Sequence, residues 1–90
     1  MLKERTKSLN QVEDQLTELR EIILYNDDHN TFEYVIETLI EVCDHDPTSA
    51  EQCAMVAHFK GKCSVKAGEL EELKPISKEL TDRGLTVSIK

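Results

Sequence analysis

Between residues 21 and 90 the apolar side chains fall into six short segments whose period keeps changing, and that alternation restricts the chain to a small mixed fold. Glu21-Ile-Ile-Leu-Tyr25 is a short apolar run that reads as a buried strand. Phe32, Val35, Ile36, Leu39, Ile40 and Cys43 then recur at three and four residues on one helical face, with Asn30 and Glu33 spaced for a capping box. Asp44-His45-Asp46-Pro47 closes this helix and opens a second. Its N-cap is either Asp46 ahead of Pro47, or Thr48 with Glu51 three residues on. The second helix is expected to reach about Phe59, with small inner residues Ala50, Cys53, Ala54 and Ala57, and to stop at Gly61. Residues 62–67 alternate with period two, which places Cys63, Val65 and Ala67 inward on a strand. Gly68 turns the chain into a third helix over Glu69–Arg83, with Leu70, Leu73, Ile76 and Leu80 inward. Pro75 is expected to kink that helix. Gly84 follows as the C′ residue, and Leu85, Val87 and Ile89 alternate as a last strand. The order β-α-α-β-α-β predicts an α+β open sandwich: a three-stranded antiparallel sheet with helices packed on one face.

Ninety residues hold one core and no more. The domain is expected over 21–90, after an extension over 1–20 that is flexible or loosely helical. Within that extension Leu9, Val12, Leu16 and Leu19 form a helical stripe of about two heptads, too short to stand alone. Charge is distributed unevenly. Residues 21–59 carry nine acids and no Lys or Arg, within a net charge of −7. Such a surface favours a cationic partner, or serves solubility alone, and makes nucleic acid a poor partner. No apolar run is long enough to span a bilayer, and no apolar segment of a signal peptide follows Met1. Three cysteines without a secretory signal point to reduced thiols in the cytoplasm.

Asn26-Asp27-Asp28 lies between a strand and a helix, where Asn and Asp are common as turn and cap residues. As a ligand site it would suit a metal ion or an ammonium group. Asn26, Asp28, Asn30 and Glu37 match positions of a calcium loop, but Thr31 stands where that loop needs glycine. Cys43, His45, Cys53, His58 and Cys63 contain no Cys-x-x-Cys pair, and no cysteine sits where its pKa would be lowered for nucleophilic work. No metal, no cofactor and no catalysis are therefore expected. An ammonium group needs an amide or imidazole acceptor and a carboxylate. Asn26, an Asp of the pair and His58 could supply these if the second helix ends beside the 26–28 turn. Ala54, Ala57, Phe32 and Val35 would then form an apolar pit next to a polar rim.

Leu24-Tyr-Asn-Asp-Asp-His-Asn-Thr-Phe-Glu-Tyr-Val-Ile36, followed by Ala57-His-Phe-Lys-Gly-Lys62, resembles the ClpS family of Clp protease adaptors over residues 22–90. Val65 to Ile89 also resembles the C-terminal domain of the ribosomal stalk protein, which shares the β-α-α-β-α-β fold. The ClpS resemblance implies recognition of N-degrons: binding of substrate proteins that begin with a bulky hydrophobic residue, and their delivery to a Clp AAA+ unfoldase paired with ClpP. It implies that Asn26, Asp27 and His58 hold the α-amino group and first peptide unit. Phe32 would stand at the gate, where the family usually has Met, and Asp28, Asn30, Val35, Ala54 and Ala57 would line the pocket. Glu69, Glu72 and Lys74 fall where the family contacts the unfoldase's N-terminal domain. The chain departs from the family at Thr31, where Pro is common, and at Ala54 and Ala57, where Met and a β-branched residue are usual. Its connection over 65–69 is shorter, Pro75 interrupts the third helix, and the lead-in before Ile22 differs. A second reading is a diverged interaction domain of the same fold, pairing through Leu9, Val12, Leu16 and Leu19.

Overall fold

The computed structural model describes residues 19–90. Three strands and three helices follow in the order β1 (Leu19–Tyr25), α1 (Phe32–Cys43), α2 (Pro47–Lys60), β2 (Lys62–Glu69), α3 (Leu70–Asp82) and β3 (Val87–Ile89). The sheet order is β2-β1-β3 and both pairings are antiparallel. The first strand is central because it carries the densest apolar run, with Ile22 and Leu24 buried on one face. It begins at Leu19, opposite Glu69, so Leu19 and Arg20 belong to the sheet rather than to a helical extension. Leu9, Val12 and Leu16 lie outside the described residues.

Helix ends follow local chemistry, with one change from expectation. Thr31, not Asn30, caps α1: its hydroxyl accepts from the Tyr34 N–H at 3.0 Å. Asn30 is drawn away into the preceding turn. Asp46 caps α2 by accepting from the Ser49 N–H at 2.8 Å, with Pro47 as the first helical residue. Gly61 ends α2 at φ 97°, a left-handed conformation that costs a side chain-bearing residue about 1–2 kcal/mol.

The alternation read for β2 breaks midway. Ile22 faces Lys66 while Ile23 faces Ser64, leaving Val65 as the extra residue of a bulge. Val65 is buried, yet Ala67 is thrown to the exposed face rather than inward. Gly68 is no turn; it remains in the strand opposite Arg20, and the chain enters α3 at Leu70, with Glu69 as both the last strand residue and the N-cap. A Cβ on Gly68 would come within 2.5 Å of the Glu72 carboxylate. The third helix runs on through Pro75, which is exposed, so solvent can satisfy the Glu71 carbonyl that the proline leaves without an N–H.

Between sheet and helices, Ile22, Leu39, Leu73 and Leu80 are fully buried, each contributing about 1.5–3 kcal/mol. Ala50, Ala54 and Ala57 are buried as well, and their small side chains keep α2 close to its neighbours. Thr38 is the one buried polar side chain among the described residues, and its hydroxyl donates back to the Tyr34 carbonyl at 2.8 Å.

Candidate functional site

The C-terminal end of β1, the N-terminal end of α1 and the C-terminal end of α2 meet at one corner of the sandwich. Two backbone bonds fix the end of β1 there, one to the link before β3 and one to the end of α2. The Tyr25 N–H donates to the Thr86 carbonyl at 2.9 Å, and the Asn26 N–H donates to the Gly61 carbonyl at 3.0 Å. The second bond sets the end of α2 against the 26–28 turn, the condition on which His58 could join Asn26.

A cavity of about 460 Å³ opens at this corner. It is lined by Leu24, Tyr25, Asn26, Asp27, Asp28, Asn30, Phe32, Val35, Ala54, Ala57 and His58. All nine residues singled out for ligand contact from the sequence therefore border the same space. Leu24 and Tyr25 were missed, because their place in an apolar run marks them as core; only their position directly before Asn26 hints at a second role. The floor is apolar, from Phe32, Val35, Ala54 and Ala57. The rim is polar and carries Asp27 and Asp28, with no lysine or arginine. Asn26, Asp28 and His58 are exposed, whereas Asp27 and Asn30 are half-buried.

Asp27 organises the rim. Its Oδ1 accepts the N–H groups of His29 at 2.9 Å and Asn30 at 3.0 Å, and the Asn30 side chain at 3.2 Å. The Oδ2 atom accepts the Asn30 side chain at 3.0 Å and a longer contact from the Thr86 hydroxyl at 3.4 Å. Burial opposes the charge on Asp27, but the donors from Asn30 and His29 outweigh it and hold its carboxyl below the usual value. The group stays anionic, and Oδ2, the less loaded oxygen, can take a further donor. The Asn30 side chain also donates to the Gly84 carbonyl at 2.9 Å, so this residue ties the turn to the link before β3. The His58 ring stands edge-on to Phe59, with centroids 4.8 Å apart.

Glu69, Glu72 and Lys74 sit elsewhere, at the junction of β2 and α3, exposed and outside the cavity. Lys74 pairs with Glu71 at 3.5 Å. Among the described residues no three His, Cys, Asp or Glu side chains gather where a metal ion could be held, and no helix is long and apolar enough to cross a membrane.

An apolar pit with an acidic, amide-bearing rim on a β-α-α-β-α-β sandwich defines a binding module for a small amphipathic group. The chain belongs to the ClpS family: the family model described as "ATP-dependent Clp protease adaptor protein ClpS" matches residues 15–88. It is 37% identical over 67 residues to the adaptor of Nitratidesulfovibrio vulgaris, covering 70% of this chain and 67% of that protein. It is 40% identical over 58 residues to the adaptor of Edwardsiella ictaluri, covering 62% of this chain and 55% of that protein. The chain thus spans between about half and two thirds of the length of these curated relatives. The structure of Agrobacterium tumefaciens ClpS2 bound to L-phenylalaninamide is similar with a TM-score of 0.78 at 26% identity, covering 81% of this chain and 95% of that one.

Proposed function

We propose that this chain is an N-degron adaptor that binds the first residue of a substrate protein when its side chain is bulky and hydrophobic. The observation that carries this reading is the cavity itself, where an apolar floor adjoins a rim of carboxylate, amide and imidazole with no lysine or arginine. A free α-amino group offers three donors and a positive charge, which Asp27 Oδ2, the Asn26 amide and the His58 imidazole complement. The first side chain then enters the pit between Phe32, Val35, Ala54 and Ala57, which Asp28 and Asn30 also line. The phenylalaninamide held by the Agrobacterium structure, a free amine beside a benzyl group, has the chemistry this arrangement suits.

Binding without catalysis is the whole activity proposed, with no cofactor. Glu69, Glu72 and Lys74 form the proposed face for the N-terminal domain of a Clp AAA+ unfoldase, exposed and away from the pocket so that both partners can be held together. The cytoplasm, where Clp proteases work, is the proposed compartment. Fluorescence anisotropy with peptides that begin with Phe, Tyr, Trp or Leu tests this reading. Micromolar binding, about −8 kcal/mol, is expected for free N-termini. Acetylation removes the charge and a donor and costs several kcal/mol at about 1.5–3 kcal/mol per charge-assisted bond. Equal affinity for acetylated peptides ends the reading.

A further inference from the structure

We propose that Cys53 on α2 and Cys63 on β2 form a thiol–disulfide exchange couple, which on oxidation by a small-molecule disulfide fastens the cavity-bearing helix to the sheet. The two sulfurs lie 2.8 Å apart, and both thiols approach the Ser64 carbonyl, at 3.3 Å from Cys53 and 3.5 Å from Cys63. The bonded separation is about 2.05 Å, so a displacement of under an ångström closes the bridge. Both thiols are free, and the third, Cys43, has neither as a hydrogen-bond partner.

Access differs between the two. Cys63 is half-buried, while Cys53 is buried and its thiol is pushed up to about 12, first by burial and then by its bond with Cys63. The order of events follows. The Cys63 thiolate attacks one sulfur of the external disulfide and expels a thiolate, leaving a mixed disulfide on Cys63. Cys53 then gives up its proton, which the expelled thiolate takes, and its sulfur attacks Cys63 Sγ and expels the second external thiolate, which takes up from solvent the proton that Cys63 released there on ionising. Two protein thiols become one disulfide and one external disulfide becomes two thiols, so electrons and protons balance. In a reducing compartment the couple rests as the dithiol and closes only when the thiol pool is oxidised.

Closure has a structural consequence. Cys53 directly precedes Ala54, and Ala57 and His58 lie one turn on along the same helix, so the bridge ties this wall of the cavity to β2. The chemistry of the couple does not depend on what the cavity binds, so its test stands apart from peptide binding.

The full chain, reduced and then held in glutathione buffers of increasing oxidised fraction, is quenched in acid, labelled with N-ethylmaleimide in denaturant so that the buried thiols react as well, and weighed intact. Loss of two hydrogens with one maleimide in place of three is expected at the oxidising end. Trypsin, with cleavage after Glu51 to part Cys53 from Cys43, should yield a Cys53–Cys63 cross-linked peptide. Cys43→Ser should leave this result unchanged. Cys63→Ser, at a half-buried position that tolerates the change, should abolish the bridge, and Cys53→Ser should stop at a glutathione adduct on Cys63. The oxidised chain should melt several degrees higher, because the bridge removes freedom from the unfolded chain. Three maleimides at every ratio, a link through Cys43, a disulfide between two chains, or an oxidised form that melts no higher would each overturn the proposal.

Discussion

Asp27→Asn separates the charge of the rim from its shape. Asparagine is nearly isosteric, so Oδ1 still meets the N–H groups of His29 and Asn30, at 2.9 and 3.0 Å in the parent chain. Two things change. Both bonds lose their charge assistance, a drop from about 1.5–3 to about 0.5–1.5 kcal/mol each. In addition the new Nδ2 donor is set against the Asn30 amide, which donates to Asp27 Oδ2 at 3.0 Å in the parent. Water recovers part of the loss because the site is only half-buried. The net cost is about 2 kcal/mol, or roughly 10 °C in Tm for a domain of this size. The pH dependence follows from the depressed carboxyl of Asp27, whose ordinary value is 3.8. A group depressed in the folded state adds stability that is full above its unfolded value and is lost as pH falls through the folded one. Urea unfolding of parent and variant should therefore differ by about 2 kcal/mol at pH 7, with the gap narrowing in acid below the ordinary value. Identical midpoints at pH 7, or a gap that stays constant into acid, would refute the assignment of Asp27 as the anionic centre of the turn.

Ala57→Val adds volume to a buried position on the cavity wall, and should weaken a Trp-initiated peptide about tenfold more than a Leu-initiated one, read by anisotropy. Gly61→Ala meets no atom within 4 Å, so its cost of about 1–2 kcal/mol in urea unfolding should come from backbone strain at φ 97° alone. Pro75→Ala restores a helical N–H and should raise the urea midpoint, by up to about 3 kcal/mol in stability. Burial pushes the Cys43 thiol up to about 11, so iodoacetamide at pH 8 should label Cys63 well before Cys43 in the folded chain.

Element order and type were legible because each segment carries its own local evidence. Phe32 to Cys43 keeps one helical face, Asp46-Pro47 is a self-contained helix start, and Gly61 and Gly84 sit where only a left-handed residue can end a helix. The errors arose where a local rule met a tertiary constraint. Asn30 has the chemistry of a cap, but a fixed Asp27 and the Gly84 carbonyl claim its side chain, so Thr31 caps instead. Ala67 and Gly68 follow a strand alternation until the bulge beside Val65 shifts the register, and a bulge leaves no composition signal when its residues are ordinary strand formers. Leu19 fits a helical stripe with Leu16 and Val12, yet pairing opposite Glu69 draws it into the sheet.

For the site, the kinds of group were written in the chain: an acid-rich stretch without cations, an Asn-Asp-Asp turn and small residues on the second helix. These are properties of composition and spacing, which need no partner to exist. That the turn and the end of α2 share one cavity was decided by the Asn26–Gly61 backbone bond, a contact between residues 35 positions apart. The proximity of Cys53 and Cys63 is of the same kind. Ten residues separate them in sequence, and nothing in the identity of either cysteine indicates that packing α2 onto β2 sets their sulfurs 2.8 Å apart. Periodicity determines which face of an element is apolar; only the packing of elements against one another determines which polar groups meet, because that depends on chain reversal, register and helix position rather than on local preference.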